Sequence, residues 1–141
     1  MSDGKAFFDT NVLLYMYGGV DQRKRERAKE LFRDHCRSDR ILLSTQVVQE
    51  FYVAGSRKLG MPHLELQDAT TALLNLPLIT VGPAHIRLAI QTEARYKISF
   101  WDALILAAAE SGGVQILYTE DLNDGQQYGA VVARNPFRTG A

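Results

Sequence analysis

Short apolar runs alternate with helical segments along almost the whole chain, and this alternation restricts the fold more than any other feature. The predicted strands cover residues 6–8, 41–43, 78–81, 116–118 and 130–132. Most of them are separated by segments with apolar residues at helical spacing, such as Ala28, Leu31, Phe32 and Cys36. Strands that alternate with helices predict an α/β fold in which a parallel sheet is connected by crossover helices.

Capping residues and prolines predict where the helices begin. The predicted helices cover 22–36, a segment opened by Ser44 or Thr45, 62 to about 74, 83 to about 96, and 99–111, with a further one beginning at residue 11. The helix opened by Ser44 or Thr45 is expected to present Val47, Val48, Phe51 and Tyr52 to the interior.

Composition narrows the class of protein. The 141 residues suit one domain spanning 1–141, and 16 basic against 16 acidic side chains exclude a protein that holds nucleic acid by bulk charge. Cys36 is the only cysteine, which excludes an internal disulfide and a multi-cysteine zinc site. The longest helical apolar run, 103–109, is far shorter than the roughly 20 residues that cross a bilayer. We therefore expect a cytoplasmic protein that has no membrane partner.

Acidic residues follow two of the predicted strands. Asp9 comes directly after the first strand, and Glu120 and Asp121 follow the strand 116–118. In an open parallel sheet the carboxyl ends of the strands are where ligands bind. Each residue also has a local explanation, because Asp9 suits a helix N-cap and Asp121 precedes a turn. The pattern does not decide between Glu120 and Asp121, which share one strand end.

Two further acids lie early in predicted helices. Asp102 is the one charged residue in an otherwise apolar stretch from residue 100 to 109, where an unpaired carboxylate costs several kcal/mol. Either Asp102 forms a capping box with Ser99, or it faces a cation. Glu50 lies at the boundary between the apolar and polar faces of its helix, and by itself it is typical of a solvated glutamate.

The predicted fold brings these four acids to one edge of the sheet. Several carboxylates cannot share a small site as bare anions, so the cluster implies a divalent cation. Ligands that are all oxygen atoms favour Mg²⁺ or Mn²⁺ over zinc or copper. His35, His63 and His85 have no mutual metal-ligand spacing, and we interpret them as surface or helix-face residues.

Five segments, in order, resemble the motifs of PIN-domain nucleases. They are FFDTNVLL at 7–14, STQVVQEF at 44–51, WDALI at 101–105, YTEDL at 118–122 and the closing NPF at 135–137. The resemblance covers essentially the whole chain. Among PIN domains, a unit of this size is most similar to the VapC-type toxins of bacterial toxin–antitoxin pairs.

The resemblance implies a fold, an activity and partners. The fold is a three-layer α/β/α sandwich around a mainly parallel sheet of roughly five strands, and the activity is that of a metal-dependent endoribonuclease. The implied partners are RNA, a cognate antitoxin that inserts a segment into the active site, and a second copy of the chain in a homodimer.

Matched to the motifs, four acids take the catalytic positions: Asp9, Glu50, Asp102 and Asp121. Asp9, Asp102 and Asp121 become the metal ligands, and Asp121 is preferred over Glu120 because the motif has the spacing Thr-x-Asp. Glu50 is positioned to orient or deprotonate the attacking water. Asn11 and Thr119 become supporting polar residues. In-line attack would leave a 5′-phosphate and a 3′-hydroxyl, as in the family.

Basic residues form two groups that could contact RNA phosphates. The predicted contacts are Arg23, Lys24 and Arg27 on the helix 22–36, and Arg57 and Lys58 after the next helix. On the first helix, however, basic and acidic residues alternate at i,i+4 spacing, which is also typical of a solvated helix.

Two other functions remain open. A haloacid-dehalogenase-like phosphatase also begins with Asp after an apolar strand, but its second acid stands where this chain has Asn11. A non-catalytic PIN-like module would bind RNA or protein without cleavage, and loss of one of the four acids would favour that function. All four acids are present.

Overall fold

A six-stranded sheet forms the central layer of the structure, a computed structural model that describes residues 4–138. The strands are β1 (Ala6–Phe8), β2 (Ile41–Ser44), β3 (Leu78–Ile79), β4 (Ile116–Tyr118), β5 (Gln127–Tyr128) and β6 (Val131–Arg134). Their order is β3-β2-β1-β4-β6-β5, and all neighbours are parallel except β5 and β6. The predicted α/β class with a mainly parallel sheet is confirmed.

Within residues 4–138, six helices connect and cover the strands. They are α1 (Thr10–Tyr15), α2 (Gln22–Arg37), α3 (Thr45–Arg57), α4 (His63–Leu74), α5 (Pro83–Tyr96) and α6 (Phe100–Ser111). In α2, α3 and α6 the capping side chains of Asp21, Ser44 and Ser99 accept a hydrogen bond from a backbone N–H three residues later. The predicted starts at Ser44 and Ser99 are therefore confirmed.

The strand order creates a crevice between β1 and β4. From β1 through β2 to β3 the chain moves toward one edge of the sheet, and from β3 it crosses back to β4 on the other side of β1. Because crossover connections are right-handed, α1–α4 lie on one face and α5–α6 on the other. This gives the predicted α/β/α layers. The segments that follow β1 and β4 diverge at this switch point, where open α/β sheets bind their ligands.

The sheet differs from the predicted one at its two edges. β5 is an additional strand of two residues, joined to β6 by a tight turn in which Gly129 has φ +60°. The predicted strand 130–132 corresponds to β6, which runs to Arg134. β3 ends at Ile79 rather than residue 81, because the N–H of Val81 leaves the sheet and donates to the Thr45 hydroxyl at 3.1 Å.

Two predicted side-chain positions are wrong. His35 is buried rather than on the surface: its Nδ1 lies 2.9 Å from the Leu31 carbonyl, and its ring packs edge-on against Phe8 and Tyr118. Tyr52 is 42% exposed and lines a groove between α3 and α4 instead of the core. The helices of residues 4–138 are all too short or too polar to cross a membrane.

Candidate active site

Asp9 lies at the floor of the crevice, in the residue that joins β1 to α1. Its side chain is only 4% exposed, and both carboxylate oxygens accept hydrogen bonds. Oδ1 accepts from the backbone N–H of Thr10 and Oδ2 from the hydroxyl of Thr119, each at 2.7 Å. Asp9 is therefore the N-cap of α1, as its local explanation predicts, and at the same time faces the site.

Asp102 approaches from the first turn of α6. Its backbone N–H donates to the Ser99 hydroxyl at 3.0 Å, while its half-buried carboxylate turns toward the crevice. One oxygen each from Asp9, Asp102 and Asp121 lie within 4.8 Å of one another. Asp102 therefore takes part in both features. Its backbone N–H is capped by Ser99, and its carboxylate belongs to the cluster.

The loop after β4 separates Glu120 from Asp121. Asp121 turns into the crevice, where its Oδ2 accepts from the Asn11 amide at 3.2 Å and its backbone N–H donates to the Thr119 hydroxyl at 3.0 Å. Glu120 turns away, accepting from the Tyr15 hydroxyl at 2.8 Å and forming an ion pair with Lys24 at 2.5 Å. The geometry favours Asp121, with Asn11 and Thr119 supporting it.

Glu50 lines the same cleft but does not belong to the group of three converging carboxylates. Oε1 accepts from the hydroxyl of Thr10 at 2.7 Å, and Oε2 from the amide of Gln46 at 3.1 Å. These two donors, Thr10 on α1 and Gln46 on α3, hold the Glu50 carboxylate across the cleft from the three converging carboxylates. Glu50 is therefore oriented more firmly than a solvated surface glutamate.

Burial and crowding disfavour negative charge in this cluster. Burial, together with the neighbouring charges of Asp121 and Asp102, raises the pKa of Asp9 to about 7, despite the lowering effect of the Thr119 and Thr10 hydrogen bonds. The pKa of Asp102 is also raised, first by burial and then by Asp121 and Glu50. A divalent cation would relieve both effects.

The donor set fits a hard divalent cation. Asp9, Asp102 and Asp121 offer carboxylate oxygens close enough to reach one ion, in a cleft of about 240 Å³. Oxygen ligands of this kind suit Mg²⁺ or Mn²⁺.

Comparison with known proteins assigns the chain to a family. The sequence model of the PIN domain matches residues 6–124. The chain belongs to the PIN domain family. No curated protein has a significantly similar sequence.

Solved structures show the same PIN fold. A toxin–antitoxin complex from Klebsiella pneumoniae superimposes with a TM-score of 0.71 at 24% identity, covering 94% of this chain and 98% of that one. VapC20 of Mycobacterium tuberculosis, a toxin that cleaves the sarcin–ricin loop, superimposes with a TM-score of 0.69 at 21% identity, covering 91% of this chain and 99% of that one. The DNA-bound VapBC complex of Salmonella typhimurium superimposes with a TM-score of 0.67 at 17% identity, covering 94% of this chain and 98% of that one.

Two residues of this PIN domain that contact Glu50 were not predicted from the sequence. Gln46 is 5% exposed, and besides Glu50 its amide donates to the Trp101 carbonyl at 3.1 Å, which ties α3 to the start of α6. The i,i+4 spacing of Gln46 and Glu50 was the signal for the first contact. Thr10 gives no such signal, because its contact with Glu50 depends on how α1 packs against α3.

The basic residues of the PIN domain fall into two groups. On α2, Lys24 pairs with Glu120, Arg27 binds the Pro136 carbonyl and Glu30, and Arg23 is exposed. At the end of α3, Lys58 lines the acidic cleft, and Arg57 and Lys58 line an adjoining cavity that also includes Glu50. The second group is therefore closer to the carboxylates.

Proposed function

We propose that this PIN domain is a metal-dependent endoribonuclease and the toxin of a toxin–antitoxin pair. The observation that carries the proposal is the convergence of Asp9, Asp102 and Asp121 in one cleft, with Glu50 held across from them. We further propose that the whole chain, 1–141, acts as one cytoplasmic domain.

Each acid has a distinct role. Asp9, Asp102 and Asp121 hold the divalent ion, for which we propose Mg²⁺ or Mn²⁺. When bound there, such an ion polarises a phosphodiester and lowers the pKa of a water molecule. Glu50 accepts a proton from the attacking water, because Thr10 and Gln46 keep its carboxylate facing the cleft. The products are a 5′-phosphate and a 3′-hydroxyl.

Neighbouring residues support this chemistry. Thr119 and Asn11 donate to Asp9 and Asp121 and so fix two of the three ligand carboxylates. Lys58, with Arg57 beside it, offers positive charge to the RNA backbone at the edge of the cleft. Arg23, Lys24 and Arg27 remain weaker proposals for phosphate contacts, because two of them have intramolecular partners.

The proposed partners follow from the relatives. Structures of the same fold include toxin–antitoxin complexes, and on that basis we propose a cognate antitoxin for this chain. The homodimer is proposed from the resemblance to VapC-type toxins alone. RNA is the proposed substrate because one relative is a toxin that cleaves the sarcin–ricin loop.

One substitution tests the proposal directly. We expect Asp102→Asn to lower metal-dependent RNA cleavage by orders of magnitude, because it removes an anionic ligand at nearly constant size. Without metal, its melting temperature should hold or rise, since one repulsive charge leaves the cluster. Asp68→Asn, on an exposed position of α4, is the matched control.

The assay follows cleavage of labelled single-stranded RNA with Mg²⁺, with Mn²⁺ and with excess EDTA. Undiminished cleavage in EDTA contradicts the metal mechanism. An Asp102→Asn protein that cleaves RNA normally contradicts a role of the Asp102 carboxylate in the reaction, whereas a parent protein that never cleaves RNA favours the non-catalytic binding module.

A further inference from the structure

An exposed tryptophan borders the acidic cleft. Trp101 immediately precedes Asp102, lines the same cleft, and is 61% exposed, although an indole of this size is usually largely buried. The proposed chemistry of the four acids makes no use of it.

The fold holds this ring at the mouth of the cleft. Ile105, one turn further along α6, also lines the cleft, so Trp101 lies on the same helix face. The Trp101 carbonyl accepts from Gln46, and the indole packs edge-to-face with Phe100 at 5.2 Å between ring centroids. The backbone is thus anchored while most of the indole surface faces solvent.

The surroundings of Trp101 favour a nucleic-acid ligand. The cleft is lined by the four carboxylates and by Lys58, and a phosphodiester that reaches the carboxylates places its neighbouring nucleosides at the mouth. Aromatic rings bind unpaired bases by stacking, without regard to base identity. A docking polypeptide would instead need a continuous apolar patch, and the exposed Tyr52 and Leu74 line a different groove, between α3 and α4.

We propose that Trp101 stacks on an unpaired nucleobase next to the scissile phosphate. This inference rests on the proposed ribonuclease function and adds to it a subsite for a single-stranded flanking base.

Trp101 is the only tryptophan of the chain, so its own fluorescence reports on the contact. The intact protein is titrated with a short oligoadenylate in Ca²⁺ in place of Mg²⁺, and gel electrophoresis verifies that the RNA stays whole. We expect saturable quenching of the indole emission. An abasic ribose-phosphate oligomer of equal length, and the same RNA in a duplex, should quench much less.

Two substitutions separate stacking from simple apolar contact. Because both variants lack tryptophan, their affinities and that of the parent are compared by the anisotropy of a fluorophore on the oligoadenylate, and we expect Trp101→Phe to keep most of the affinity. Trp101→Leu should lose roughly 5- to 140-fold, which is a stacking contribution of about 1–3 kcal/mol converted at 1.4 kcal/mol per tenfold. Both variants should melt near the parent, because the indole is mostly exposed.

The outcomes distinguish this inference from the function on which it rests. Equal affinity of Trp101→Leu and the parent, or emission unchanged by saturating RNA, overturns stacking even where cleavage is normal. If Trp101→Leu instead changes only self-association in sedimentation, the ring belongs to a protein interface and the proposal is also overturned. Normal quenching by a protein that never cleaves RNA contradicts the nuclease but leaves the base subsite.

Discussion

Two opposing effects act on the carboxylate of Asp9. Its carboxylate caps α1 and accepts from Thr10 and Thr119, yet its burial raises its pKa to about 7. A carboxyl group is thus kept in a place that penalises its ionisation. Such a position is typical of a residue retained for binding a cation rather than for stability.

This conflict predicts how stability of the metal-free protein depends on pH. Between the ordinary Asp pKa near 4 and the folded pKa of about 7, the folded state binds a proton that the unfolded state lacks, so stability falls as pH rises through this window. We expect Asp9→Asn to remove that slope and to be more stable than the parent above pH 7, by on the order of 4 kcal/mol at most.

The measurement is a pair of melting curves, parent and Asp9→Asn, in EDTA across this pH range. The difference in melting temperature should grow from pH 4 to 7 and then level off. A difference that does not depend on pH would show that Asp9 is ionised in the folded state throughout.

Substitution of Gln46 is predicted to lower the rate of RNA cleavage more than it changes the stability of the fold. Gln46→Leu removes the donor to Glu50 and to the Trp101 carbonyl, but it also removes a buried side-chain oxygen that has no hydrogen-bond partner within residues 4–138. Because these effects on stability oppose each other, we expect a change within about 1 kcal/mol. As a positioning residue, its loss should lower kcat several-fold at nearly constant KM.

Gln49→Leu, on the exposed side of the same helix, is the control, and it should leave kcat unchanged. Steady-state cleavage and thermal melts of both variants test this prediction. A rise in KM at constant kcat would instead place Gln46 in substrate binding.

At the scale of elements, α6 is packed closely at its C-terminal end. A Cβ added at Gly112 would lie 2.2 Å from a methyl carbon of Leu42 in β2 and 3.4 Å from Ile79 in β3. Gly112 has an ordinary negative φ, so glycine is needed there for space and not for conformation. The buried Leu42 has little room to move.

We therefore expect Gly112→Ala to destabilise the fold by about 1–3 kcal/mol through overpacking. Gly82→Ala is the control, since nothing lies within 4 Å of its added Cβ, and it should cost no more than about 1 kcal/mol because alanine is a poorer N-cap of α5 than glycine. Urea denaturation of both variants provides the comparison. Equal midpoints would show that Leu42 adjusts freely.

Local signals predicted most elements, and contacts distant in sequence account for the differences. The caps Ser44 and Ser99 act within three residues, so the sequence was sufficient to place α3 and α6. β5 has two residues and exists only because β6 pairs with it, which leaves no periodicity to detect.

The candidate site shows the same division between local and distant information. Strand ends placed Asp9 and Asp121 near each other, but only the three-dimensional structure separates Asp121 from Glu120, because Lys24 and Tyr15 draw Glu120 away. The burial of His35 likewise depends on Phe8 and Tyr118, which belong to other elements.

For the whole molecule, binding of a cation at the cluster should couple to folding. Three carboxylates, which follow β1, lie on α6 and follow β4, converge only in the folded state. We expect Mn²⁺ to raise the melting temperature, with stabilisation of about 2.7 kcal/mol at one hundred times the dissociation constant. Asp121→Asn should lose most of this shift.

Glu120→Gln is the neighbouring control and should keep the Mn²⁺ shift, because Glu120 faces Lys24 and not the cluster. Differential scanning calorimetry with and without Mn²⁺ tests both variants. Equal shifts for Asp121→Asn and the parent would contradict binding at these carboxylates.

The sheet ends on both sides in strands of only two residues, β3 and β5. An exposed strand edge is a template on which other chains can add strands and start aggregation. Here each edge offers so little free backbone that a foreign strand gains few hydrogen bonds. The edges of the sheet therefore give the fold a low tendency to form β-linked aggregates.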